Sequence, residues 1–113
     1  FNYIFANNDM MAQGCYNALK DAGKENIPIV STGGSPDGFK MLQDGIEAAN
    51  MTAPVSIQGV KTFMNLYNKV ALGEDPAEKF TALPVIPVSA DDTSSYIAWD
   101  DYAAAYKYLG ENK

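Results

Sequence analysis

Twice within the first fifty residues, a short β-prone run gives way across a small polar cluster to a helical repeat. Residues 3–6 (YIFA) are aromatic and β-prone, and Asn7-Asn8-Asp9 follows at once. Beyond it Met11, Cys15, Leu19 and Ala22 recur at helical spacing, with Gln13, Asn17, Lys20 and Asp21 between them. Gly23 is a suitable helix stop. Residues 27–30 (IPIV) form the second run, followed by STGGSPDG. There Ser35 suits an N-cap, Pro36 the first helical position and Asp37 the first turn. Phe39, Leu42 and Ile46 continue that helix, and Gly45 lies near its end.

The alternation continues. Residues 48–53 predict a third strand, and Val60, Phe63, Met64, Tyr67 and Val70 mark one face of a third helix ending near Gly73. Residues 83–88 predict a fourth strand, which Pro84 and Pro87 restrict to an edge or a connector. The tail carries Trp99, Tyr102, Ala103, Tyr106 and Leu109 in helical rhythm. Strands separated by amphipathic helices imply an α/β fold: an open, mostly parallel sheet flanked by helices on both faces, joined by right-handed crossovers.

Several functions are disfavoured by composition. The 113-residue chain has a net charge of −6 and no His, which argues against nucleic acid, whose phosphates it would repel. No apolar run is long enough for a membrane-spanning helix. The single Cys15 excludes an internal disulfide and a cysteine-rich metal site, and without His a zinc centre is not expected. Cys15 falls on the apolar side of its helix, where a buried inert thiol is expected. The Met residues and the Tyr-rich tail read as core and packing surface. The pairs Asp91-Asp92 and Asp100-Asp101 read as solvated. No nucleophile–base arrangement is visible, so neither an enzyme nor a cofactor is expected. The chain starts without Met, inside a predicted strand, and reads as a piece of something longer.

In open α/β sheets ligands bind beyond the carboxyl ends of the strands. Three segments fall there: Asn7-Asn8-Asp9, Ser31 to Ser35, and Met51-Thr52-Ala53. In a parallel sheet all three share one rim, and each precedes a helix whose first N–H groups favour polar partners. Asp9 is expected to cap the first helix while Asn8 points outward. Gly33-Gly34 lacks the full spacing of a nucleotide-binding loop and reads as a tight turn.

The segments IFANNDMMAQGCYNALKDAG and IPIVSTGGSPDGFKMLQDG closely resemble the later half of type I periplasmic sugar-binding proteins of ABC transporters. Residues 5–59 lie on that family's pattern without gaps, Asn8-Asp9, Gly14, Gly23, Pro36, Gly38, Gly45 and Gly59 included. The resemblance implies a two-lobed fold of which this is the C-terminal portion. Residues 1–53 would form part of the C-terminal lobe, and 54–81 a helix of the other lobe after a hinge crossing at Ala53-Pro54. Residues 82–113 would supply the return strand and a C-terminal helix. The implied function is hinge closure around a small polar solute, a sugar or polyol, for delivery to an ABC transporter permease.

The resemblance implies Asn8, Thr32, Gly33, Thr52 and Ala53 as ligand-binding positions. Asn8 matches an asparagine that binds sugar hydroxyls. Gly33 and Ala53 stand where the family carries an acid and a Gln or Asn, so backbone N–H groups at Gly33 and Gly34 are expected to face a smaller or anionic ligand. The implied partners are the solute, the permease and the N-terminal half, with a homodimer as a further expectation for the chain alone. The implied location is periplasmic or extracellular, with lipid anchoring an option. The effector-binding domain of a lactose-repressor-type regulator shares much of the motif and is the alternative; a flavodoxin-like enzyme or receiver domain is a third.

Overall fold

The computed structural model describes residues 1–76, 78–80, 82–83 and 85–111. Its elements run β1 (Ile4–Ala6), α1 (Asp9–Asp21), β2 (Ile29–Gly33), α2 (Pro36–Gln43), β3 (Glu47–Thr52), α3 (Val55–Tyr67), β4 (Ile86–Ser89) and α4 (Tyr102–Glu111). A π-helical turn, Asn68–Leu72, extends α3. The strands lie in the order β1-β2-β3-β4; the first three are parallel and β4 joins β3 antiparallel. The sheet is therefore mostly parallel, as the alternation predicts, with its proline-bearing strand at the edge. Pro87 costs the sheet little there, because an edge strand has one side without a hydrogen-bonded neighbour. Pro84 and Thr81, the end of the predicted second segment, lie outside the described residues.

One expectation changes. The two crossover helices share a face of the sheet instead of covering both. Consecutive right-handed crossovers stepping the same way, β1 to β2 to β3, leave α1 and α2 side by side. Ala12 and Leu19 of α1 and Met41 of α2 accordingly meet Ala6 and Ile29 in one core cluster. The opposite face carries Phe5 and Met51 in the open, at 60% and 37% exposure.

Local chemistry explains the helix boundaries. Ser35 caps α2 through the Gly38 N–H at 3.0 Å, with Pro36 and Asp37 in the first turn as predicted. Gly23 and Gly45, the predicted stops of α1 and α2, take φ of +65° and +70°, the left-handed region suited to glycine.

A second core cluster joins Leu42, Val88 and Tyr96, with the Phe39 ring packed at a tilt of 40° against Tyr96, 4.9 Å between centroids. A third joins Ile57 of α3 to Ile97 and to Ala105 of α4. Beyond Ile57, α3 departs from the expected packing: Phe63, Met64, Tyr67 and Val70 stay exposed. Tyr102 and Tyr106 are likewise exposed, and Trp99 precedes α4 instead of lying on it. The result is elongated, 58 × 23 × 19 Å, with a radius of gyration of 16.9 Å. A compact domain of this length would have about 13 Å. No described helix is long and apolar enough to cross a membrane.

Candidate functional site

Parallel pairing places the carboxyl ends of β1, β2 and β3 along one rim. Ala6 pairs with Ser31 and Gly33 with Thr52, and the Ala53 N–H donates to the Gly33 carbonyl at 2.7 Å. Gly33 thus closes β2, and Asn8 and Ala53 lie just beyond β1 and β3, so the three positions sit at the ends of adjacent strands, as predicted.

Asn8 and Asp9 exchange their expected roles. Asn8 is the N-cap of α1: its Oδ1 accepts from the Met11 N–H at 2.8 Å, and the residue is exposed. Asp9 points inward and is 4% exposed. Its Oδ1 accepts from Asn50 Nδ2 at 2.7 Å and Ser31 Oγ at 3.2 Å. Its Oδ2 accepts from the Gly34 N–H at 3.1 Å, the Ser35 N–H at 2.8 Å and Ser35 Oγ at 2.5 Å. Five donors therefore converge on one carboxylate at the N-terminus of α2, the place where helix geometry favours an anion.

This has a direct consequence for the turn glycines. A Cβ on Gly38 would lie 2.6 Å from the Asp9 carboxylate carbon, and one on Gly33 would also overlap that carboxylate. The two glycines make room for Asp9. Gly34 and Ser35 spend their N–H groups on Asp9, so the anion cradle expected at the Gly33-Gly34 turn is filled by the chain's own side chain.

Behind Asp9 lies a second acid. Glu47, at the start of β3, is fully buried beside Ser31 and Asn50, which are also fully buried. Its Oε1 shares a hydrogen bond with Ser31 Oγ at 2.8 Å, and its Oε2 accepts from Asn50 Nδ2 at 3.0 Å. Burial pushes the Glu47 carboxyl above the ordinary glutamate range; the two hydrogen bonds oppose the shift and the Asp9 charge adds to it. The Tyr96 phenol is pushed up by burial and by the same two acids, and it donates to the Ser35 carbonyl at 2.7 Å.

The remaining predicted positions are less available. Thr32 Oγ1 donates to the Asn7 carbonyl at 2.9 Å. Thr52 is fully buried, and its hydroxyl donates to the Ile86 carbonyl at 3.1 Å. Ala53 is partly buried and offers no polar side-chain atom. In front of the rim is a cavity of about 350 Å3 bordered by Asn8, Met10, Gly33, Ser35, Asp37 and Trp99. Trp99 escapes a periodicity reading because it sits in a loop, where its backbone N–H donates to the Gly34 carbonyl at 3.0 Å. Its indole nitrogen lies 3.4 Å from the Gly33 carbonyl. Among the described residues no group of His, Cys, Asp and Glu is arranged to hold a metal ion.

A strand-end crevice on an open, mostly parallel sheet is where α/β proteins bind their ligands. Comparison with known proteins narrows this. The chain is 38% identical over 80 residues to the ribose import binding protein RbsB of Escherichia coli (strain K12). It is also 38% identical over 77 residues to the RbsB proteins of Salmonella typhimurium and Salmonella typhi. Each match covers 68% of this chain and 26% of the relative, so the chain spans about a quarter of the curated relatives it matches. No protein-family profile matches it. A crystal structure from Mycobacterium smegmatis aligns with 99% of the chain and 36% of its own, at a TM-score of 0.63 and 24% identity, which supports the fold. The chain is homologous, over the matched stretch, to type I periplasmic sugar-binding proteins, as the motifs of residues 5–59 lead one to expect.

Proposed function

We propose that the chain is a C-terminal portion of a solute receptor: it contributes one wall of a crevice that closes on a small polar solute, a sugar or polyol, for an ABC transporter permease. The observation that carries this reading is the convergence of Asn8, Gly33 and Ala53 on one rim, in front of a cavity bordered by amide, hydroxyl, carboxylate and indole groups. That mixture suits a hydroxylated solute, with side-chain donors and acceptors for its hydroxyls and an aromatic surface for its C–H face. The relatives named for ribose import support the same solute class.

In this reading residues 1–53 belong to one lobe, 54–81 to the other after a crossing at Ala53-Pro54, and 82–113 return. The elongated outline and the open apolar face of α3 favour such a division. The rest of the protein would cover that face and supply the opposite wall, and a chain lacking it would pair with a second copy through the same surface. Function consists of a shift from open to closed forms without covalent chemistry. The location consistent with this role is periplasmic or extracellular, with or without a lipid anchor. Thermal-shift screening of the intact protein against sugars, polyols and small acids tests the reading. A concentration-dependent rise in Tm with a sugar or polyol supports it; no rise with any of them refutes it.

A further inference from the structure

We infer that the crevice is closed to anionic solutes by Asp9 and that Asp37, which borders the same cavity as Trp99, is the acceptor that fixes a solute's hydroxyls. This rests on the receptor reading above and adds the residues that set specificity. At the N-terminus of α2 the N–H groups of Gly34 and Ser35 and the Ser35 hydroxyl all point to Asp9 Oδ2. A phosphate or carboxylate arriving there would meet a resident negative charge in place of free donors. Among the described residues no Lys or Arg borders the cavity to offset that charge.

The strand-end position held by Gly33 carries no side chain, so a solute hydroxyl finds no acceptor of that kind on β2. Asp37 supplies one from the first turn of α2. It is exposed, borders both the 350 Å3 cavity and the adjoining space of about 260 Å3, and has no side-chain partner among the described residues. Trp99, 42% exposed, borders the larger cavity, where its indole offers an apolar wall. A carboxylate accepting two hydroxyls is a charge-assisted anchor, and an indole beside it suits the C–H face of a ring.

The test uses the intact receptor and isothermal titration calorimetry. The probes are neutral pentoses, hexoses and pentitols, each paired with its phosphate or acid counterpart. The strongest binder is expected to be neutral, with its anionic counterpart at least about tenfold weaker, the scale of losing one charged hydrogen bond. Asp37→Asn, at unchanged Tm, is expected to weaken that neutral probe about tenfold and to narrow its margin over the anionic one. Trp99→Leu should weaken the neutral and anionic probes in similar proportion, leaving the margin intact. An anionic probe bound as tightly as its neutral counterpart overturns the inference. So does an Asp37→Asn protein that keeps both affinity and margin, while the receptor reading survives through the neutral probe. Failure of every probe to bind overturns both.

Discussion

Replacing Glu47 by Gln should remove a pH-dependent weakness without disturbing the packing. Wild-type Glu47 is fully buried with another carboxylate nearby, and burial lifts its pKa. A neutral Glu47 gives a consistent set of donors: its Oε1–H to Ser31 Oγ, Ser31 Oγ–H to Asp9 Oδ1, and the two Asn50 Nδ2 hydrogens to Asp9 Oδ1 and Glu47 Oε2. The heavy-atom distances, 2.8, 3.2, 2.7 and 3.0 Å, allow every one of these bonds. Gln reproduces the pattern, with Nε2 in place of the protonated oxygen. The sign follows from linkage. Below the unfolded-state pKa, folded and unfolded forms both hold the proton and stability is at its fullest. Between that value and the raised folded value only the folded form holds it, so stability falls as pH rises, by up to about 1.4 kcal/mol per pH unit. Above the raised value the loss is complete. Urea unfolding of wild type and Glu47→Gln at a series of pH values from about 4 to about 8 isolates this contribution, because all other groups are common to both. The variant should match wild type within about 1 kcal/mol at the acid end and gain on it steadily toward the alkaline end. A variant that loses more than about 1 kcal/mol near pH 8, or that keeps the wild-type slope, would show that Glu47 is buried as an anion.

Gly33→Ala should destabilise by about 1–3 kcal/mol, because its Cβ collides with the Asp9 carboxylate where φ is +157°. Chemical denaturation measures this, and a neutral result would mean that Asp9 is not seated as described. Asn8→Ala should cost about 1 kcal/mol through loss of the α1 cap. Asn8→Asp keeps the accepting oxygen and should hold Tm while losing solute affinity with the Nδ2 donor; parallel calorimetry and melting separate the two roles.

Much of the fold was legible because its signals are local. The Ser35-Pro36-Asp37 start of α2, the glycine stops and the edge character of the Pro87 strand each follow from one residue's backbone chemistry. The side occupied by α1 and α2 was not legible, since it depends on the order in which strands pair, a long-range choice. Nor was the exchange between Asn8 and Asp9. Both side chains can cap a helix, and the deciding partners, Ser31, Ser35 and Asn50, are 22, 26 and 41 residues away. One signal was present unread: glycine at both 33 and 38, flanking a helix start, is the footprint of something bulky lying across that turn. Glu47 was missed because a charged residue at the edge of an apolar run normally marks solvent.

The glycine at position 33 also changes how the departure from the sugar-binding pattern is understood. Read from sequence, it is a lost acid and a vacated turn, which invites an anion. In the folded chain nothing is vacated, because Asp9 fills the space a Cβ would take and uses the donors of the Gly34-Ser35 turn. Putting Asp at 33 would therefore not restore a familiar contact. The new side chain would need a different backbone dihedral at a φ of +157° and would set a second carboxylate against the first. Gly33→Asp should weaken folding at neutral pH and recover partly in acid, as protonation removes the repulsion between the two acids. Unfolding midpoints at two pH values check it, and equal destabilisation at both would assign the loss to the backbone alone.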